Sequence, residues 1–224
     1  MSSEALRPVS GEPWRPVLFD MDGTLIDSAP AILGRLRETL LEFGVTPPDE
    51  AALRLFIGPP MHVTLASFLP EDQVESARTF YRGLSQRDGL SNQSVYPDIP
   101  EVLAELSSAG IPLGIASSKS QDEVQRSAEH FGIASFFSGI AGSSTERQDK
   151  VDVIAYALSM LETKSSLSPL MVGDRKWDIE GALKVDVPTV LVTWGYAGAG
   201  EEELAIASVD TGHDLVSFVK NGIS

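Results

Sequence analysis

From residue 99 to residue 192 short apolar runs alternate with amphipathic segments, and this alternation restricts the fold more than any other feature of the chain. Residues 111–116, 137–141, 170–172 and Thr189–Val192 read as strands of a buried sheet. Residues 99–109, 123–131 and 151–161 between them carry apolar side chains at helical spacing, with Val151, Ile154, Ala155, Leu158 and Leu161 on one face of the last. Strands that alternate with helices pair in parallel through right-handed crossovers, so the expected core is a doubly wound parallel α/β sheet. An earlier apolar run, Val17–Phe19, belongs to the same sheet but stands apart from it in sequence.

The intervening residues, 28–97, read as helix and form a unit of their own. Ala31, Leu33, Leu36, Leu40 and Phe43 recur at helical spacing before Gly44 and Pro47-Pro48 stop the helix. A second helix starts after Asp49 and runs into the breaker Gly58-Pro59-Pro60; helices over 61–69 and 71–87 follow. The expected organisation is a flexible N-terminal extension over 1–15, an α/β core from 16–27 and 98–224, and a helical cap over 28–97. Met61 and His62 follow the breaker and either project from the cap toward a site or serve as a packing methionine and a surface histidine.

Composition narrows the classes of function. A chain of 224 residues, 42% apolar and 22% charged, can bury a core, and no apolar run reaches spanning length. Residues 1–15 are polar with Pro8 and Pro13, unlike a secretory leader, so a cytoplasmic location is expected. The absence of cysteine excludes disulfides and thiolate metal sites. A formal charge of -15 argues against nucleic acid and anionic membranes as partners.

The residues that carry chemistry stand at the ends of the apolar runs. Val17–Phe19 leads into Asp20-Met21-Asp22-Gly23-Thr24, where period two places Asp20 and Asp22 on one side and Met21 on the other. Two like charges that close repel, and a divalent cation is the usual reason to tolerate them. Gly23 permits a tight approach, and the amides of Gly23 and Thr24 are candidates to face an anion. The run also fits ordinary turn chemistry or a calcium loop, but Leu25 and Ile26 stand where such a loop needs oxygen ligands. Ser117-Ser118 ends the strand at 111–116, as hydroxyls for a phosphoryl oxygen or as a turn and N-cap. Lys150 opens a helix at its electropositive end, which hints at a separate task for what is otherwise a surface lysine. Asp174 follows the strand at 170–172, and Asp178 comes one helical turn later.

The string Asp20-Met21-Asp22-Gly23-Thr24-Leu25-Ile26-Asp27-Ser28 resembles the first motif of the haloacid dehalogenase superfamily. The Ser117-Ser118 pair, Lys150 and Gly173-Asp174-Arg175-Lys176-Trp177-Asp178 match its remaining motifs in order. The resemblance covers nearly the whole chain from Val17 onward. The helical insertion is similar to the cap of the phosphoglycolate phosphatase-like branch, with Ile57-Gly58-Pro59-Pro60 in the position of its substrate loop. It implies a Rossmann-like doubly wound parallel sheet with an inserted helical cap, and a Mg²⁺-dependent phosphatase that hydrolyses a small organic phosphomonoester through an aspartyl-phosphate. Asp20 would be the nucleophile and Asp22 the general acid/base. Ser117 and Ser118, with Gly23 and Thr24, would bind phosphate, Lys150 would neutralise charge, and the Asp20 carboxylate, the Asp22 backbone carbonyl and Asp174, with Asp178 in support, would form the metal site. One departure is Ser120, where family members often carry Pro. The same residues would serve a phosphomutase of this branch, and a non-catalytic phospho-accepting module would need neither Asp22 nor a cap.

Overall fold

The strand Val17–Phe19 (β1) sits at the middle of the molecule because its three side chains are fully buried on two opposite faces. The computed structural model describes residues 12–161 and 168–222. After β1 come a two-residue strand, Ile26–Asp27 (β2), and four helices: Ala29–Glu42 (α1), Glu50–Arg54 (α2), Met61–Ala66 (α3) and Glu71–Asp88 (α4). A second two-residue strand, Ser94–Val95 (β3), returns the chain to the core. The core then alternates: Ile99–Ser108 (α5), Leu113–Ser120 (β4), Gln121–His130 (α6), Gly139–Ser143 (β5), Lys150–Met160 (α7), Leu170–Gly173 (β6), Lys176–Leu183 (α8), Thr189–Val192 (β7), Ala207–Val209 (β8) and Gly212–Asn221 (α9).

Among the described residues six strands pair in the order β5-β4-β1-β6-β7-β8, every pair parallel. This is the expected Rossmann-like doubly wound sheet. Val17 and Phe19 join Ile115, Leu170, Val172, Val190 and Val192 under α5, α6 and α9, while Leu18 points the other way with Met171 and Ala116 against α7 and α8. Period-two alternation in the central strands thus builds both faces of the core from one set of apolar runs. Leu18 is fully buried, and a Cβ added at Gly114 would come within 2.8 Å of it. Leu18→Ala is therefore expected to cost about 3 kcal/mol through lost burial and the cavity left behind. A lowered urea midpoint at unchanged slope checks this.

The helical insertion has a core of its own. Ile32, Leu33, Leu36 and Leu40 of α1 pack with Leu53, Leu65, Leu69, Ala77 and Tyr81, and one residue of the α/β core, Tyr196, joins them. The two crossings between the units lie side by side, since β2 pairs antiparallel with β3 through Ile26↔Val95 and Asp27↔Ser94. A second tie comes from Arg175, which donates to the carbonyls of Leu55 and Ile57 and forks onto Glu201 at 3.1 and 3.2 Å.

The expected flexible extension needs a correction at its end. Residues 1–11 lie outside the described residues, but Trp14 is fully buried, stacks on Phe218 of α9 and donates its backbone N–H to Val219. An indole of that size packed against α9 stabilises the core by burial, so Trp14 packs with the core.

Candidate active site

The acids gather where the strands end. β1 is central, and the chain leaves it toward β4 and β5 on one side and β6, β7 and β8 on the other, so its carboxyl end is the switch point at which α/β sheets bind ligands. Asp20 follows β1 with its N–H on Val172 O at 2.9 Å, Ser117 stands on β4 beside it, and Asp174 follows β6 on the other flank.

Carboxylate oxygens of Asp20, Asp174 and Asp178 lie within 4.8 Å of one another, all three residues buried. One cation answers them: Lys150 Nζ is 2.6 Å from Asp20 Oδ1 and 2.7 Å from Asp178 Oδ1. The lysine reaches them from the first residue of α7, and its stem packs against Gly181 of α8, where a Cβ would stand 2.9 Å from Lys150 Cγ. Asp178 closes the start of α8 by accepting the Arg175 N–H at 3.1 Å. Asp174 accepts from Thr24 Oγ1 at 3.3 Å and from the Tyr196 N–H at 2.7 Å, so its carboxylate is held from two sides.

Three buried acids against one ammonium leave an excess of negative charge. Burial pushes the Asp20 carboxyl up to about 7, with Lys150 opposing and Asp178 and Asp22 adding to the rise. Asp174 is likewise raised, by burial and then by Asp178 and Asp20. Burial alone would lower Lys150, but Asp178 and Asp20 outweigh it and hold the ammonium charged. A cluster of hard oxygen donors with surplus negative charge fits Mg²⁺. Asp20, Asp174 and Asp178 each offer a carboxylate oxygen to such an ion.

Asp22 is placed differently. β1 stops at Phe19 and the chain folds into a tight turn, with Leu25 and Ile26 donating to Met21 O, yet Asp22 still faces the same cavity as Asp20, as period two predicts. Its carboxylate stands outside the three-acid group and accepts from Ser28 Oγ and Lys119 Nζ, each at 2.5 Å. Met21 is buried in the core, as its position predicts. The turn also bears on the expectation for Gly23, whose amide it occupies. The Gly23 N–H is spent on Ile26 O at 2.8 Å, and the Thr24 hydroxyl points to Asp174. Gly23 has φ +86 and lies directly beneath the Asp174 carboxylate, where a side chain would collide. These two residues shape the floor under Asp174 and do not line the cavity.

Between the two units lies a cavity of about 430 Å³. Its floor contains Asp20, Asp22, Ser117, Ser118 and Lys119; its upper wall contains Ile32, Arg35, Arg78, Tyr81 and Arg82 from α1 and α4. Phe56, the Ile57-Gly58-Pro59-Pro60 stretch, Met61 and His62 complete the side nearest the cap loop, which places Met61 and His62 at the site. At the departure from the family pattern, Ser120 precedes α6 and donates its hydroxyl to Glu123 at 2.6 Å.

Lys119, Tyr196 and Arg175 are contributors that the sequence does not single out. Lys119 directly follows the Ser117-Ser118 pair, and its position one residue past two hydroxyls at a strand end is the available signal. Tyr196 and Arg175 act through partners distant in sequence, and nothing local marks them.

Comparison with known proteins agrees with this geometry. The model of the family described as haloacid dehalogenase-like hydrolase matches residues 17–192. The tyrosine-protein kinase PtkA of Mycobacterium tuberculosis is 39% identical over 191 residues, covering 84% of this chain and 65% of the relative, so the chain spans just under two thirds of that protein. A phosphoglycolate phosphatase of Rhodospirillum rubrum is 30% identical over 82% of this chain and 81% of its own. The solved structure of a haloacid dehalogenase-like family hydrolase from Streptococcus pneumoniae superposes with a TM-score of 0.85 at 31% identity, covering 92% of this chain and 98% of that one. The chain belongs to the haloacid dehalogenase-like hydrolases, in their phosphoglycolate phosphatase-like branch.

Proposed function

We propose that the protein is a Mg²⁺-dependent phosphatase that hydrolyses a small organic phosphomonoester through an aspartyl-phosphate on Asp20. The observation that carries this reading is the position of Asp20. It stands at the cavity floor with Lys150 at 2.6 Å and two further buried acids behind it, beneath a helical cap. The phosphoglycolate phosphatase relative supports the same class of substrate.

Bound at Asp20, Asp174 and Asp178, Mg²⁺ would offset the surplus negative charge and stabilise charge on the transferring phosphoryl group. Ser117 and Ser118 donate hydroxyl hydrogen bonds to phosphoryl oxygens and hold the ester in line with Asp20. Lys150 keeps the Asp20 carboxylate oriented and neutralised by proximity. Asp20 attacks phosphorus and the ester oxygen leaves, taking the proton of Asp22, which enters this step as the carboxylic acid and recovers its proton in the next. Asp22 then removes a proton from water as it attacks the phosphoryl-aspartate, which regenerates Asp20 and releases phosphate. Apolar side chains of the cap, Ile32, Phe56 and Met61, exclude bulk water around the leaving group.

The test is a panel of substrates with purified protein. Phosphoglycolate, sugar phosphates and nucleoside monophosphates are expected to turn over with Mg²⁺, to stop with EDTA and to recover when Mg²⁺ is restored. A phosphopeptide is expected to be poor, because a cavity of about 430 Å³ under a cap cannot close over a macromolecule. Activity undiminished in metal-free buffer contradicts the metal assignment, and a phosphopeptide turned over best contradicts the closed pocket. Asp22→Asn is expected to slow alkyl esters by about 10²–10⁴-fold and aryl esters much less, because a good leaving group needs little protonation. Equal losses on both would remove Asp22 from the acid role.

A further inference from the structure

The first turn of α1 is held in an unusual way. Ser28 precedes the helix, but its hydroxyl takes no bond from the helix and instead donates to Asp22 Oδ1 at 2.5 Å. Pro30 has no N–H to offer, and the leading donors of the turn, the N–H groups of Ser28 and Ala29, both point at the phenol oxygen of Tyr196, at 2.8 and 2.9 Å. That hydroxyl in turn donates to Asp27 Oδ1 at 2.9 Å, and the same Oδ1 accepts from Ala29 N–H at 3.3 Å. Tyr196 comes from the loop after β7, is 8% exposed, and packs its ring into the cap cluster. Its backbone N–H is the 2.7 Å donor to Asp174. A single residue therefore touches the acid cluster through its main chain and the base of the cap through its side chain.

We propose that Tyr196 is a positioning residue for Asp22: its hydroxyl fixes the Ser28 backbone, and the fixed backbone holds Ser28 Oγ on the Asp22 carboxylate. The linkage is short and directional. A helix start ordinarily draws on its own N-cap side chain for an acceptor; here a side chain 168 residues away supplies one, and the serine hydroxyl is left for Asp22. The location adds a second consequence. Ser28 lies directly after β2, where the chain passes from the core into the cap, so Asp22 is aligned only when that crossing has its observed geometry. Lys119, which donates to the same Asp22 oxygen, does not depend on this crossing, because it comes from β4 of the core.

The proposal rests on the reading of Asp22 as the proton donor, and its test separates the two. Tyr196→Phe keeps the ring in the cap cluster and the N–H on Asp174, and removes only the hydroxyl. With Mg²⁺ present, the ratio of kcat on an alkyl ester to kcat on an aryl ester is expected to fall about 10-fold, the signature of a misaligned acid. Ser28→Ala is expected to lower the ratio similarly, and Tyr196→Phe added to Ser28→Ala is expected to lower it no further, since both act through one hydrogen bond. Equal loss on both esters, or full additivity in the double variant, would overturn the linkage and leave Tyr196 a packing residue. Hydrogen exchange on the metal-free protein reads the contact without activity. The Ser28 and Ala29 amides are expected to exchange at least about 10-fold faster in Tyr196→Phe, and unchanged protection would overturn the proposal even if that variant is active. A wild-type protein that hydrolyses neither ester would condemn the phosphatase reading alone, and the exchange result would still decide this one. Should Tyr196→Phe fail to fold, the ester ratio of Ser28→Ala decides: an unaltered ratio overturns it.

Discussion

Asp20→Asn is expected to lower kcat by at least about 10³-fold with the fold intact. An amide has nearly the volume of the carboxylate it replaces but is not a nucleophile toward phosphorus. The neighbours should stay in place: Lys150 retains Asp178 at 2.7 Å, Asp174 retains Thr24 and Tyr196, and the Asp20 N–H remains on Val172 O. Stability should not suffer. In the metal-free protein three buried carboxylates share one ammonium, and burial already pushes Asp20 up to about 7, so removal of one charge relieves repulsion. Thermal melting of the metal-free variant is accordingly expected at or above the wild-type temperature. Retention of more than a few per cent of turnover would remove Asp20 from the nucleophile's role.

Lys150→Met is the second large effect, and it is expected to hurt both activity and stability. The side chain is buried with 7% exposure, and its ammonium is within 2.7 Å of two carboxylates. Methionine fills much of the space of the stem but leaves Asp20 and Asp178 without their ion-pair partner. Removal of one member of a buried ion pair typically costs about 3–5 kcal/mol, because the partner charge is left uncompensated. Part of this loss is expected to return on addition of Mg²⁺, which would answer the same charges, whereas kcat should remain depressed. A denaturation series with and without Mg²⁺, alongside steady-state kinetics, reads both. A variant as stable as wild type in metal-free buffer would contradict the charge balance described for the cluster.

Much of the fold was legible because each core strand except one is a continuous apolar run between helices. β8 is the exception: in Ala207–Val209 only the last residue is buried, so no run announces it. β2 and β3 are two residues each and exist because the chain must leave and re-enter the core at one place, which is a constraint of topology without a local pattern. β4 extends to Ser120, beyond its apolar residues, because Ser120 regains register with Ser143 past an irregularity. The acids at strand ends were readable for the same reason as the strands: an acid after a buried run in a parallel sheet must sit at the carboxyl edge. Asp22 was readable by the period-two rule, which sets it on the cavity side with Asp20, but its partners Ser28 and Lys119 were not, because they reach it from a helix start and from a strand 97 residues away. Tyr196 and Arg175 were invisible because an aromatic after a strand and an arginine before a helix are ordinary in sequence. Only the folded chain shows that one ties β2 and α1 to Asp174 and the other ties the cap loop to the core.

The central claim is that Asp20 carries the phosphoryl group during turnover. Rapid acid quench during hydrolysis of a small phosphomonoester with Mg²⁺, followed by peptide mass spectrometry, tests it most directly. The account predicts one phosphoryl group on the peptide that contains Asp20, present only while substrate remains and absent in Asp20→Asn. Turnover with a phosphoryl group on another residue, or on none at any quench time, would contradict it.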